Sequence, residues 1–348
     1  MDIPCDHKKT NYKHMKLDFE HIPAGHCENG VISSLLKYHG LNLSEAMIFG
    51  IGSGYFFAYM PFVKVNGIPL ASFRPVPGMI FARAAKRLGI KMKKQTFRGQ
   101  PKRAMDELDR VLEKKLPVGV QAGVFHLSYF PPAYRFHFNA HNMTVYGKEG
   151  DTYFISDPVM EYPTTLTYDE LKKVRFAKGP LSPNGKMYYP IEIPKEIDLK
   201  SAIHKGIKQT ADWMLTIPVP LFGVKGIRYL SRRMRNWPKK LGPKKAAAYL
   251  AQMVRMLEEI GTGGAGFRFI YAAFLQEVAE IMQDQRYFEL SKEMTKIGDK
   301  WRTFSSLAAK TCKGRSSDPD GYNTVANLML EIADDEEKFF IELKKLIN

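Results

Sequence analysis

The spacing of apolar residues changes character once along this chain, at Pro190-Ile191-Glu192-Ile193-Pro194, and that change limits the folds open to it. Before it, from Glu28 to Tyr189, short helical patterns alternate with short runs rich in β-branched and aromatic residues. After it the β signals fade, and apolar residues recur at helical spacing through 199–217, 243–260, 264–285, 287–312 and 322–346. The expectation is an α+β domain over 1–195 followed by an all-α domain over 196–348. With 348 residues, 45% of them hydrophobic, the chain can bury the cores that two such domains need.

Within the first part, helices are expected over 28–39, 44–50, 77–88, 101–116 and 168–177, and strands over 54–60, 90–97, 118–124, 139–147, 151–156 and 186–191. The polar turn Lys148-Glu149-Gly150-Asp151 joins two of these strands and makes 139–156 the clearest hairpin. In the second part, Gly261-Thr262-Gly263-Gly264-Ala265-Gly266 separates two helices. Such a loop can cradle an anion on backbone N–H groups, but no strand precedes it and no Gly-Lys-Ser/Thr ending follows. A tight interhelical turn is the expected reading.

Cys27 stands just before the helical run Val31–Tyr38, where the unpaired N–H groups of a first helical turn favour thiolate over thiol. A thiolate nucleophile needs a base, and the base needs an orienting group. His141 opens one strand of the expected hairpin and Asp157 ends the other, ahead of Pro158. A turn at 148–151 carries the end of the second strand back toward the start of the first, so the carboxylate comes to the imidazole. Cys27, His141 and Asp157 are therefore the candidate catalytic residues. Each also has a plain structural alternative: a small buried hydrophobe, a core hydrogen-bonding histidine and a turn aspartate. His137 could share a strand face with His141, but no third ligand at convincing spacing accompanies the pair, and no metal site is expected. Tyr55, Phe56, Phe57, Tyr59, Tyr129, Phe130 and Tyr134 are candidates either for the core or for a substrate channel.

The formal charge of +16 is concentrated: residues 196–248 hold 12 Lys/Arg against 3 Asp/Glu, whereas residues 249–348 hold 13 against 16. Such a patch attracts an acidic partner or forms a solvated helix face. No nucleic-acid-binding motif accompanies it, and no apolar run approaches the length of a bilayer span. The three cysteines, Cys5, Cys27 and Cys312, are widely separated and odd in number, which suggests neither a disulfide framework nor a zinc site. With no basic-then-apolar segment at the start, a soluble cytoplasmic protein is expected.

Three stretches together carry a family resemblance: His26-Cys27-Glu28-Asn29-Gly30 with Leu35–Gly40; Phe136–Gly147, which includes His141; and Ser156-Asp157-Pro158. With Gly261–Gly264 and Phe267–Leu275 in the second part, the chain resembles the butirosin biosynthesis protein family, which joins a papain-like N-terminal domain to an all-helical C-terminal one. The resemblance implies a papain-like cysteine protease fold and an acyltransferase with a Cys-His-Asp triad. That enzyme would take an acyl chain from the thioester of an acidic acyl or peptidyl carrier protein and give it to an amine. It implies no bound cofactor, the substrate arriving on the carrier's phosphopantetheine arm. It further implies a 4-hydroxybenzoyl-β-alanyl type chain and a diamine acceptor, 1,3-diaminopropane, joining two halves. Hydrolysis of a peptide or amide by the same triad is the alternative. Papain-like peptidases usually place a glutamine several residues before the cysteine to complete the oxyanion hole; here His21 stands six residues before Cys27 and is the candidate second donor beside the Cys27 backbone N–H.

Overall fold

The computed structural model describes residues 15–347 apart from 66, 317 and 319. Cys5 lies outside the described residues. The chain divides into two compact units, and the cut is not the sequential one expected at 195/196. One unit takes the described residues up to Pro23 together with Met92–Pro190; the other takes Ala24–Lys91 together with Ile191–Asn348. Periodicity marks where helices replace strands, but aromatic packing decides which helices share a core. Phe49 stacks on Phe267 at 5.1 Å, and Tyr55 meets Tyr271 and Phe340, each at 5.1 Å, so the segment carrying the cysteine packs with the C-terminal helices.

The first unit is built on an antiparallel sheet. Its path runs Lys91–Gln95, Met187–Glu192, Val118–Ala122, His141–Glu149, Thr152–Ser156 and Thr164–Thr167, with Met15–Lys16 pairing beside His141–Glu149. The helix Pro101–Glu113 starts with proline at a position that needs no N–H, and buries Ala104, Met105, Leu108, Val111 and Leu112 as one stripe. That stripe packs with Val118, Val120, Met143, Val145 and Ile155 of the sheet to form the core. The helix Tyr168–Arg175 opens with a capping box, Thr167 accepting from the Glu170 N–H while the Glu170 carboxylate accepts from that of Thr167.

The expected hairpin forms, with Glu149 opposite Thr152. Its register shifts by one residue between Val145 and Gly147, so Tyr146 bulges. Gly147 is required there: a Cβ would lie 2.5 Å from the Met15 carbonyl oxygen and 2.9 Å from the Lys16 Cα. Three strands that no alternation announced are present among the described residues, Met15–Lys16, Ile68–Ser72 and Thr164–Thr167, each paired antiparallel to a neighbour.

The second unit is helical apart from the hairpin Ala58–Val65/Ile68–Ser72. Its elements include the helices Cys27–Tyr38, Glu45–Ile51, Met79–Arg87, Leu199–Leu215, Pro243–Glu258, Arg268–Met282, Gln285–Cys312 and Gly321–Lys345, each close to an expected span. Two more, Gly223–Met234 and Trp237–Leu241, fall in the basic stretch, where charge masked the apolar stripe Val224, Ile227, Leu230 and Met234. The fold class is thus α+β, a helix that opens on the cysteine coming ahead of a strand that opens on the histidine and a strand followed directly by the aspartate, with an all-α C-terminal part. No helix among the described residues is long and apolar enough to cross a membrane.

Candidate functional site

Cys27 is the first residue of its helix, 9% exposed, with His26 as the extended N-cap residue. A thiol there sits in the field of the helix N-terminus, which lowers the cost of the thiolate. The turn before it is held from outside: the Glu45 carboxylate accepts from the N–H groups of Gly25 at 2.8 Å and His26 at 3.1 Å. Burial pushes the Glu45 carboxyl above its ordinary range, and these two hydrogen bonds pull part of the way back. Beside the cysteine, Glu28 is buried and pairs with Arg74 at 2.5 Å while accepting from the N–H groups of Gly78 and Phe81. Burial alone would raise its pKa; Arg74, His26 and the hydrogen bonds outweigh it and hold the carboxyl below its ordinary range. Arg74 also donates to Nε2 of His26, whose ring stands edge-on to Phe267 at 5.2 Å.

The sheet unit positions the other two residues. His141 is the first residue of its strand and Asp157 follows directly on the end of the partner strand Thr152–Ser156. Nε2 of His141 lies 2.7 Å from Oδ2 of Asp157, so the ring donates to the carboxylate. Asp157 is completely buried and is satisfied on both oxygens, Oδ2 also accepting from the Tyr129 hydroxyl at 2.7 Å and Oδ1 from the Val159 N–H at 3.2 Å. A buried carboxylate so paired fixes the imidazole's tautomer and tilt. Burial, then the Asp157 charge, pushes the Tyr129 hydroxyl well above its ordinary range, so it stays a donor. Phe130 closes the other side of His141 with an edge contact at 5.6 Å.

A family model described as butirosin biosynthesis protein H, N-terminal, matches residues 26–158, from one residue before Cys27 to one after Asp157. A second, described as a domain of unknown function (DUF4872), matches residues 169–343. The chain belongs to the family of that second model, which spans half of it, and its N-terminal part is similar to butirosin biosynthesis protein H. No curated protein matches it. Among solved structures, one described as a C39-like peptidase from Bacillus anthracis is similar over 53% of this chain and 100% of its own, with 12% identity and a TM-score of 0.35, a likeness too low to carry weight for fold or chemistry.

His21 is not placed as an oxyanion donor. Its Nδ1 lies 2.8 Å from the Ser156 hydroxyl and its Nε2 3.1 Å from the Met160 carbonyl. A carbonyl only accepts, so Nε2–H donates to Met160, and Nδ1 is taken up by Ser156. His21 instead clasps the two sides of Asp157, across the turn closed by Met160 N–H to the Asp157 carbonyl at 3.0 Å. His137 stacks on Phe125 at 4.1 Å rather than joining His141. Of the expected channel aromatics, Tyr55, Phe57 and Tyr59 are buried in the helical unit's packing, Phe56 meets Trp213 and Phe222, and Tyr134 is 64% exposed, whereas Tyr129 donates to Asp157 and Phe130 meets His141 edge-on.

The glycine-rich turn of this family member is a packing device. Gly263 approaches Gly25 so closely that a Cβ on Gly25 would lie 3.2 Å from the Gly263 Cα. Gly266 takes φ +57, and its carbonyl accepts from Arg268 at 2.8 Å. Arg268 is completely buried, donates to Glu336 at 2.6 and 3.0 Å and lies over Tyr55 and Trp301, while the Trp301 indole N–H reaches the same carboxylate oxygen at 2.7 Å. The loop's N–H groups serve its own fold, that of Gly264 going to Thr262 and that of Ala265 to Glu258. In the basic stretch, Arg228 is committed to Asp334 and Glu337, both at 2.6 Å, whereas Arg232, Lys239, Lys240 and Lys244 are exposed. Sequence reasoning missed Glu45, Arg74 and Ser156. A carboxylate 18 residues from a nucleophile and an arginine 47 residues away carry no local signal; only Ser156, adjacent to Asp157, was within reach.

Proposed function

We propose that the chain is an amide-forming acyltransferase of thiotemplated nonribosomal peptide biosynthesis, similar in task to closthioamide synthetase. The observation that carries this reading is the hydrogen bond between His141 Nε2 and the buried Asp157 carboxylate. With Nε2–H given to Asp157, proton acceptance falls to Nδ1. Cys27, losing its proton to His141, attacks the thioester carbonyl of an acyl-loaded carrier protein. The new Cys27 thioester forms as the carrier's carbon–sulfur bond breaks, and His141 returns the proton to the departing phosphopantetheine thiolate. An amine then attacks the acyl-enzyme, His141 takes its proton, and the collapsing intermediate releases amide and the Cys27 thiol. Thioester exchange is nearly balanced and amide formation is downhill, so the sequence of steps needs neither ATP nor a metal.

In the finer form of the proposal the acyl chain is of the 4-hydroxybenzoyl-β-alanyl type, the acceptor is 1,3-diaminopropane, and two halves are joined. The backbone N–H of Cys27 is one oxyanion donor in this reading. The donor of the acyl group is an acidic carrier protein in the cytoplasm, met by the exposed Arg232, Lys239, Lys240 and Lys244. The similarity of residues 26–158 to butirosin biosynthesis protein H supports an antibiotic-biosynthesis role over a digestive one.

Intact-protein mass spectrometry after incubation with acyl-loaded carrier tests the covalent step: an added acyl mass is expected, and its persistence in Cys27→Ala would exclude Cys27 as nucleophile. Product analysis with a diamine present separates the two chemistries. Amide supports the transferase; free acid alone would assign a cysteine peptidase or amidase.

A further inference from the structure

The sheet unit contains a cavity of about 610 Å³, the size of a site for an organic ligand rather than a bare ion. Its lining includes Phe125, His126, His137, Lys172, Lys173 and Lys178, and no aspartate or glutamate. The walls are tied together by the chain's own hydrogen bonds. After the strand Val118–Ala122, the Gly123 N–H donates to the Val174 carbonyl at 2.8 Å and the Val124 N–H to that of Phe138 at 2.8 Å. The buried Asn139 amide donates to the carbonyls of Lys178 at 3.1 Å and Pro180 at 3.0 Å, holding the Lys178 loop in place. Phe125 and His137 stack at 4.1 Å with their planes 13° apart, giving one wall a flat face.

The charge of this cavity is one-sided. Lys172 has a carboxylate partner, Asp169 at 2.5 Å, but Lys173 and Lys178 have no ion-pair partner among the described residues. Partial burial, then the nearby Lys173 and His137, pushes the His126 imidazole below its ordinary range, the response of a protonatable group to cations with no anion between them. A phosphate placed among them would relieve that repulsion.

We infer that this cavity receives the phosphate of the phosphopantetheine arm, the lysines and histidines meeting the phosphodiester and Phe125, His137 and Phe176 its apolar backbone. The inference rests on the carrier-thioester reading above. The arm carries its phosphate at one end and the reacting sulfur at the other, so a protein that grips both needs a phosphate point separate from its acid–base residue. His137 on the cavity wall and His141 are four residues apart, a chain span of at most about 14 Å. Coenzyme A carries the same phosphopantetheine, and the carrier-bound form is the source assigned here.

The test uses the full chain and the Lys172→Ala/Lys173→Ala/Lys178→Ala variant, with matched circular dichroism and melting curves as the folding control. Calorimetric titration with phosphopantetheine, with phosphate-free pantetheine and with inorganic phosphate reads the cavity directly, whether or not Cys27 reacts. Phosphopantetheine should bind about tenfold or more tighter than either of the others, and the variant should lose that preference. Equal binding of pantetheine, equal binding of inorganic phosphate, or an unchanged preference in the variant would overturn the inference. Intact-mass acylation rates with one acyl group on carrier protein, on coenzyme A and on phosphate-free N-acetylcysteamine read the use of the site. The variant should slow the carrier donor about tenfold and leave N-acetylcysteamine unchanged. A variant that slows only the coenzyme A donor, or all donors alike, also overturns it. If no donor acylates Cys27 in the unmodified protein, the transferase reading fails, and the titration still decides the cavity.

Discussion

His141 and Asp157 meet on one face of the sheet because their hairpin carries a bulge. Near the turn Lys148 stands opposite Tyr153; beyond Tyr146 the pairing is Thr144 opposite Ser156, one residue out of step. Carried one residue further, the bulged register sets Asp157 opposite Met143, on the face that His141 shares by alternation. The contacts agree, the Tyr129 hydroxyl lying 2.7 Å from Asp157 Oδ2 and 3.5 Å from the Met143 sulfur. Without the bulge, Asp157 would oppose Thr144 and face away from the imidazole.

The Asp157 carboxylate orients His141 and stabilises it when protonated. Asp157→Asn should therefore cut the rate of acyl transfer by about 10³- to 10⁴-fold, with a far smaller effect on carrier binding. Rates of amide formation, compared with carrier affinity measured separately, check the split. Tyr129→Phe, which removes one of two hydrogen bonds to Oδ2, should cost less, about 10-fold.

His21 holds the turn around Asp157 through Ser156 and Met160. His21→Ala removes both hydrogen bonds and should destabilise the sheet unit by about 1–3 kcal/mol, read by denaturant melts. It should also lower the acylation rate beyond the fraction unfolded. A full rate at a temperature where the variant is folded would show that the clasp does not position Asp157.

Glu28 makes stability depend on pH with a defined sign. Its folded-state pKa lies below the ordinary value of 4.5, so its contribution is complete above that value and is lost as pH falls through the folded one. Glu28→Gln should lower the melting temperature near neutral pH, by the equivalent of about 2 kcal/mol. The gap to the unmodified protein should close on acidification. A gap that does not narrow at all as the pH falls below the ordinary carboxylate range would mean that the carboxylate charge is not what matters.

Gly147 has no room for a side chain against Met15 and Lys16. Gly147→Val should displace that strand at a cost of about 1–3 kcal/mol. The Leu17 amide, which donates to the Tyr146 carbonyl at 3.0 Å, should then exchange its hydrogen faster.

Arg268 and Glu336 are both completely inaccessible to solvent and balance each other's charge. Arg268→Met leaves the carboxylate buried and uncompensated and should cost about 3–5 kcal/mol; adding Glu336→Leu should recover about half or more. Urea melts of the two single variants and the double variant measure the coupling.

The order of elements was legible because amphipathic spacing survives in a single sequence. The stripe of Pro101–Glu113 and the alternation around Val118–Ala122 announce themselves locally, and Cys27 at a helix start needed only its neighbours. Short or edge-placed strands such as Thr164–Thr167 did not, since four residues carry too little period. The expected oxyanion role of His21 failed for a different reason: counting positions back from Cys27 said nothing of the carbonyl of Met160, 139 residues away, that takes its N–H.

By itself, then, the sequence determined the α+β-then-helical order, the nucleophile at a helix start and the hairpin that returns a carboxylate toward a histidine. Each follows from local periodicity, turn chemistry or a helix terminus. Only the tertiary structure decided the discontinuous units, the bulge that sets Asp157 facing His141, the clasp by His21 and the grip of Glu45 on the turn before Cys27. Those depend on which distant groups must bury apolar rings or satisfy a hydrogen bond together, and that is settled when the chain packs.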